Sequence, residues 1–164
     1  MILRLSLDLP EDAAYLSITR HLSRSLLEHL RVIEEDIGDV EFVVNELATN
    51  VLRHAPDHGY RVEVEYHADQ AVITVVDSGP GFSFADVLPP GTPRPEIGGG
   101  QRLGGWGLPL VQMFADRVQF FRTDPHGTTV RAEKALHYLD RAAANTAARL
   151  EDHEAVRVQR LTAE

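Results

Sequence analysis

The chain has 164 residues, 43% of them hydrophobic and 25% charged, which fits one globular domain with a sizeable core. It contains no cysteine, which excludes disulfides and thiolate metal sites, and its formal net charge of -9 makes DNA and anionic membranes poor partners. Neither a secretory signal nor a membrane-spanning apolar run is visible. We therefore expect a cytoplasmic protein that makes no direct contact with nucleic acid or membrane.

The first half of the chain predicts a strand, two helices and two further strands. Leucines alternate with polar residues from Leu3 to Leu9, as in a half-buried strand. Apolar residues at helical spacing fill residues 13–30 after an acidic helix start, and a second helix is expected over residues 35–54. Residues 61–66 alternate again, and residues 71–76 form a nearly continuous apolar run, which is typical of a strand covered on both faces.

The second half begins with a long segment, residues 82–104, that is rich in proline and glycine. A loop of that length inside a compact domain is either functional or disordered. A short helix is expected at residues 108–115, followed by strands at residues 117–121 and 129–134 that a turn connects. The order of these elements predicts a two-layer α/β sandwich, a mixed β-sheet with the helices gathered on one face.

Glu46, Asn50 and His54 lie four residues apart on the second predicted helix, so their side chains share one helix face. A carboxylate and an amide oxygen on one face can meet a hydrated cation and a nucleophile, and Mg²⁺ prefers such hard oxygen ligands. The alternative interpretation is an ordinary amphipathic helix whose polar side faces solvent. The spacing by itself does not distinguish the two.

A second motif, Asp77-Ser78-Gly79-Pro80-Gly81, follows the predicted central strand. Asp77 could accept a hydrogen bond from an exocyclic amine, and Gly79 and Gly81 would let the backbone approach a flat ring closely. The alternative interpretation is a strand that ends in a glycine-rich turn.

A third motif, Gly104-Gly105-Trp106-Gly107-Leu108, leads into the short helix. Glycines before a helix N-terminus form an anion site, because free N–H groups and the helix dipole point at a phosphate there. The alternative interpretation is a flexible loop that enters a helix. The motif is neither a Walker A sequence nor a dinucleotide-binding fingerprint, since no GK[ST] follows and a loop precedes it.

These motifs stand in a specific order along the chain. An E-x-x-x-N helix is followed by D-x-G-x-G after a strand, a long loop, G-x-G-L into a helix, and Gly127-Thr128-Thr129 before a last strand. This order resembles the N, G1, G2 and G3 boxes of the GHKL ATPases over residues 1–135. The resemblance implies a Bergerat ATP-binding fold that uses ATP and Mg²⁺, with residues 136–164 as a C-terminal helical extension or tail.

The same resemblance implies a role for each candidate residue. Glu46 would be the general base and Asn50 the Mg²⁺ ligand. Asp77 would bind the adenine amine, helped by a water that Thr128 holds, and residues 82–104 would form the ATP lid. The remaining candidates would contact the base or the phosphates, with the arginine at the γ-phosphate: Gly79, Gly81, Arg102, Gly105, Gly107 and Leu108.

Within that superfamily, the stretches NELATNVLRHA, GGWGLPLVQMFAD and GTTVRAEK resemble the anti-sigma-factor serine kinases. The resemblance implies a homodimer that binds a sigma factor and phosphorylates a serine on a STAS-type anti-anti-sigma protein. A sensor histidine kinase would need dimerisation helices with a phosphoacceptor histidine before this domain, and a gyrase-type ATPase would need a second, larger domain. The remaining alternative is a switch kinase or nucleotide-binding regulatory module of the same fold with a different STAS-like or signalling partner.

Overall fold

A computed structural model of the chain describes residues 3–54, 59–80, 107–122 and 126–140. Each secondary-structure element in them lies within one residue of its predicted bounds. In chain order the elements are β1 (Leu3–Leu9), α1 (Ala14–His29), α2 (Glu34–His54), β2 (Tyr60–Tyr66), β3 (Gln70–Asp77), α3 (Gly107–Phe114), β4 (Arg117–Arg122) and β5 (Thr128–Ala135).

The five strands form one sheet in the order β1-β2-β3-β5-β4. The predicted two-layer sandwich is confirmed, but the mixed strand pairing is corrected, because every neighbouring pair among the described strands is antiparallel. Strands β3 and β4 do run in the same direction, as a helical connection between strands favours. Strand β5 lies between them and pairs with both, so this parallel relation never becomes a hydrogen-bonded pair.

The core lies between the sheet and α2. Alternate residues of β2 and β3 point at the helices and are buried, while most of the residues between them are partly exposed; Val72 of β3, which is also buried, is an exception. Helix α2 contributes a continuous apolar stripe, whose fully or almost fully buried members are Ile37, Val40, Val43, Val44, Leu47 and Val51. No helix within the described part of the chain is long and apolar enough to span a membrane.

Two ends of the sandwich are distinguished below. The Asp77 end is where β3 ends and β5 begins, and the Asp36 end is where β3 begins and β5 ends. At the Asp36 end, residues 136–140, the start of the predicted extension, pack against the connection between α1 and α2. Val32 and Tyr138 form a β-bridge there, and the backbone N–H of Ile33 donates to the carbonyl of His137 at 2.9 Å. The rest of the predicted extension lies outside the described residues.

Candidate functional site

One row of side chains crosses the sheet at the Asp77 end. The register places Leu9, Tyr60, Asp77, Thr128 and Arg122 directly opposite one another on neighbouring strands. Directly opposed residues of an antiparallel sheet share a face, and in this row that face is the one that the helices cover. Tyr60 is only 3% exposed and Thr128 only 8% exposed. The row therefore brings a carboxylate and two hydroxyls together at the edge of the core.

Asp77 is held in place by backbone on both sides. Its Oδ1 accepts a hydrogen bond from the backbone N–H of Gly79 at 2.9 Å, which closes a tight turn after β3. The residue before β5, Gly127, has a φ of 120°, and a Cβ there would lie 2.1 Å from the carbonyl oxygen of Asp77. Only glycine allows this approach, so Gly127 fixes the backbone that carries the carboxylate.

Helices α2 and α3 run in opposite directions, as the sheet register shows. Helix α3 ends at Phe114, beside the start of β4 at the Asp36 end, where the N–H of Asp116 donates to the carbonyl of Glu133. Helix α2 begins at that end and finishes before Tyr60, at the Asp77 end. The last turns of α2 therefore lie at the Asp77 end, and α3 begins on the side of its last turn that points toward that end.

The contact between the two helices places their polar residues more closely. The rings of Phe42 and Phe114 lie 4.5 Å apart between centroids. Helix α3 begins at Gly107, seven residues before Phe114. Because the two helices are antiparallel, Gly107 should lie opposite the part of α2 that is about two turns after Phe42, close to Asn50. The free N–H groups at the start of α3 thus face the part of α2 that carries the polar motif.

Glu46 and Asn50 are both half-buried on α2. The side-chain nitrogen of Asn45 donates to Glu46 Oε1 at a long 3.4 Å, so the carboxylate has a neighbour that orients it weakly. The side-chain nitrogen of Asn50 is buried and has no hydrogen-bond partner among the described residues. Buried polar atoms are rarely left unpaired in proteins, so this amide has the character of a ligand contact. A half-turn of the amide presents its oxygen in the same place.

A metal ion held entirely by side chains does not fit this site. No group of three or more His, Cys, Asp or Glu residues suited to a metal occurs in residues 3–54, 59–80, 107–122 and 126–140. Mg²⁺ is commonly bound by one or two protein oxygens together with waters and substrate phosphates. Asn50, with Glu46 one turn away and the start of α3 opposite, fits that second kind of site.

The structure brings together most of the residues predicted from sequence. Asp77, Gly79 and Thr128 lie together at the Asp77 end. Glu46 and Asn50 lie on the half of α2 that leads to this end, and Gly107 and Leu108 begin the helix that packs against it. Gly81, Arg102, Gly105 and the predicted lid, residues 82–104, lie outside the described residues. Sequence reasoning gave no individual role to Gly127, although the Gly-Thr-Thr motif marked its position, and it missed Tyr60, for which only the start of an alternating strand was a signal.

Comparison with characterised proteins gives a consistent set of relatives. The serine-protein kinase RsbW of Halalkalibacterium halodurans is 27% identical over 125 residues, covering 70% of this chain and 74% of the relative. The RsbW of Listeria innocua is 28% identical over 130 residues, covering 72% and 79%. The RsbW of Bacillus velezensis is 26% identical over 140 residues, covering 81% and 86%.

The fold has a counterpart among solved structures. The crystal structure of the RsbU and RsbW domains of a Mycobacterium tuberculosis protein matches with a TM-score of 0.59 and 16% identity, covering 84% of this chain and 35% of that one. At this identity the match concerns the fold alone. Residues 9–134 match the family model of the histidine kinase-like ATPase domain, which is most of the chain. The chain therefore belongs to the histidine kinase-like ATPase domain family.

Proposed function

We propose that this protein is an ATP-dependent serine/threonine kinase that also acts as an anti-sigma factor. The observation that carries the proposal is that Glu46 lies one turn before Asn50 on α2, and that the buried side-chain nitrogen of Asn50 has no hydrogen-bond partner among the described residues. The relatives named serine-protein kinase RsbW support the same reading. A cytoplasmic location is part of the proposal, since the predicted partners are transcription regulators.

The nucleotide would lie between the helices and the row of side chains at the Asp77 end. Asp77 accepts the adenine amine in this proposal, and Thr128, one strand away, holds a water beside the base. The buried Gly79 leaves room for the flat ring to approach the backbone after β3. The predicted contacts of Gly81 with the base, and of Arg102 and Gly105 with the phosphates, complete the set.

The phosphates would lie at the start of α3, where Gly107 and Leu108 supply free backbone N–H groups and the positive end of the helix dipole. A Mg²⁺ ion, held by Asn50, would neutralise charge on the phosphates during transfer. The serine hydroxyl of the substrate attacks the γ-phosphorus while Glu46 accepts its proton. The bond from the γ-phosphorus to the bridging oxygen breaks, and ADP leaves.

The proposed partners are a sigma factor, a STAS-type anti-anti-sigma protein and a second copy of the chain. Strand β1 is at the edge of the sheet that the described strands form, and an edge strand can pair with a second copy across a two-fold axis. Helix α1 carries Tyr15, Ile18 and Leu22 at helical spacing, each between 38% and 47% exposed. An apolar stripe beside an open sheet edge supports a homodimer through this side of the molecule.

Transfer of radiolabelled phosphate to a purified cognate STAS-type protein tests the kinase proposal. We expect wild type to transfer phosphate, Glu46→Ala to lose transfer with most ATP affinity retained, and Asn50→Ala to lose transfer together with metal dependence. Glu35→Ala serves as the control, because Glu35 is an exposed acid on the same helix at the Asp36 end.

Two outcomes would contradict the proposal in different ways. If wild type binds ATP but phosphorylates no cognate STAS-type protein, the chain is instead a nucleotide-binding regulatory module with another partner. If Glu46→Ala transfers at the wild-type rate, the kinase activity stands and Glu46 is not the base.

A further inference from the structure

Tyr60 has a buried hydroxyl at the Asp77 end of the sheet. The residue begins β2 and is 3% exposed, and its hydroxyl oxygen makes no hydrogen bond with any of the described residues. A hydroxyl loses its water when it is buried, and the great majority of buried side-chain polar atoms recover a partner elsewhere. The position of Tyr60 in the candidate site suggests what that partner is.

The hydroxyl is a hydrogen-bond donor at physiological pH. Burial, and then the negative charge of Asp12, raise the pKa of Tyr60 above its ordinary value, so the phenol keeps its proton. Asp12 acts through its charge and not through a hydrogen bond to the Tyr60 hydroxyl, and its Oδ1 accepts the backbone N–H of Ala14 at 2.8 Å. Tyr60 therefore offers a proton, and a ligand acceptor would satisfy it.

The neighbours of Tyr60 in the sheet define that ligand. Asp77 lies directly opposite Tyr60 on β3, and Thr128 lies directly opposite Asp77 on its other side. An ionised Asp77 only accepts hydrogen bonds, whereas Tyr60 donates. Adenine presents the complementary pattern, an amine that donates, with the ring acceptors N1 and N7 on its two sides. Guanine presents a carbonyl where adenine has the amine.

We propose that the Tyr60 hydroxyl donates a hydrogen bond to a ring nitrogen of the bound adenine, N1 or N7, beside the amine that Asp77 accepts. The inference rests on the proposed nucleotide site and adds a base-reading residue to it. Tyr60 and Asp77 together then select adenine over guanine, because donor and acceptor are offered side by side on adjacent strands.

Strand β2 contains a matched control for this proposal. Tyr66 lies at the other end of the same strand and on the same face, is fully buried, and has its hydroxyl beside that of Ser23 on α1. Burial raises the pKa of Tyr66 to about 12, and the hydroxyl of Ser23 on α1 opposes part of that rise. Tyr66 thus faces another element of the core, far from Asp77, and should be indifferent to nucleotide.

Calorimetric titration of the full chain tests the proposal with wild type, Tyr60→Phe and Tyr66→Phe. The ligands are ATP and two ATP analogues in which carbon replaces N1 or N7. Tyr60→Phe should weaken ATP binding roughly three- to tenfold, as expected for one hydrogen bond, and Tyr66→Phe should leave it unchanged. The loss caused by Tyr60→Phe should disappear with one of the two analogues, which identifies the nitrogen.

The outcomes separate this inference from the proposed function. If wild type binds no ATP, the nucleotide site itself fails and this inference falls with it. If wild type binds ATP and Tyr60→Phe binds it equally well, only the role of Tyr60 is overturned. An equal loss with ATP and both analogues would mean that the hydroxyl supports packing, and would also overturn it. Unfolding without nucleotide checks the fold, since removing an unpaired hydroxyl should not destabilise the chain.

Discussion

Each end of the sandwich has a carboxylate at the edge of the core, and the two carboxylates differ in how many donors among the described residues surround them. At the Asp36 end, Asp36 is 3% exposed and accepts the backbone N–H of His137 at 2.6 Å. The His137 ring nitrogen Nδ1 lies 3.0 Å from the same oxygen, and Lys134 lies 4.0 Å from the other. At the Asp77 end, the hydrogen bond found for Asp77 among the described residues is the one from Gly79.

The difference separates polar groups that join elements of the fold from polar groups that the proposed function assigns to a ligand. A buried carboxylate that accepts several hydrogen bonds stabilises the elements that supply the donors, because the donors would have no acceptor without it. Asp36 joins the start of α2 to the residues after β5 in this way. The amide of Asn50 and the hydroxyl of Tyr60 have no such partner within the described residues. Substitutions at the two ends should therefore affect different measurements.

The largest expected effect is that of Gly127→Ala, which should destabilise the Asp77 end itself. A Cβ would meet the Asp77 carbonyl oxygen at 2.1 Å, and the φ of 120° is unfavourable for any other residue. We expect the free energy of unfolding to fall by about 3 kcal/mol or more, as measured by chemical denaturation.

The control is Gly38→Ala on α2, where a Cβ meets nothing within 4 Å. That change should stabilise by about 0.5–1 kcal/mol. Equal effects of the two changes would refute the close approach at Gly127.

Asp36→Ala should lower stability and leave nucleotide affinity unchanged. Removing the carboxylate leaves the His137 N–H without its acceptor and takes one negative charge away from Lys134. The free energy of unfolding should therefore fall by about 2–3 kcal/mol. Because Asp36 lies at the end away from the site, the ATP dissociation constant of the folded protein should stay within about twofold. The exposed neighbour Glu35 provides the control, and Glu35→Ala should change stability by less than about 0.5 kcal/mol. A clear loss of ATP affinity in Asp36→Ala would remove the distinction between the two ends.

Asp77→Asn should produce the opposite result, with lost affinity and unchanged stability. The asparagine oxygen can still accept the Gly79 N–H, so the free energy of unfolding should change by less than about 0.5 kcal/mol. ATP binding should weaken by about 1.5–3 kcal/mol, roughly ten- to a hundredfold, through loss of a charge-assisted hydrogen bond. Binding of GTP should change far less, because guanine presents a carbonyl at the matching position. Calorimetry that finds equal ATP affinity in wild type and variant would show that Asp77 does not bind the amine.

The secondary structure could be predicted from the sequence because it depends on local patterns. Hydrophobic periodicity and turn residues predicted all eight described elements, and the motifs supplied the candidate site residues. The pairing of β5 between β3 and β4 could not be predicted, since it depends on which strand edges meet after folding. The pairing of Asp36 with His137 joins residues 101 positions apart, and nothing in the local sequence marks either residue as a partner.

Tyr60 was missed for a related reason. It lies one residue before the strand predicted over residues 61–66, and the structure includes it as the first residue of β2. What gives the residue its interest is the register that sets it opposite Asp77, together with the absence of a hydrogen-bond partner in the described structure. Register is a property of two strands at once, so one strand's sequence does not contain it.

The register also has an arithmetical consequence for the chain. Along β3 the side chains alternate between the two faces of the sheet. Asp77 faces the helices because it lies four residues, an even number, after the buried Ile73. Inserting one residue between them would leave the Asp77-Ser78-Gly79 motif intact but turn its carboxylate to the face of the sheet away from the helices. Inserting two would turn it back. A chain that carries this motif one residue out of phase would keep the sequence signature and lose the proposed contact between Asp77 and adenine.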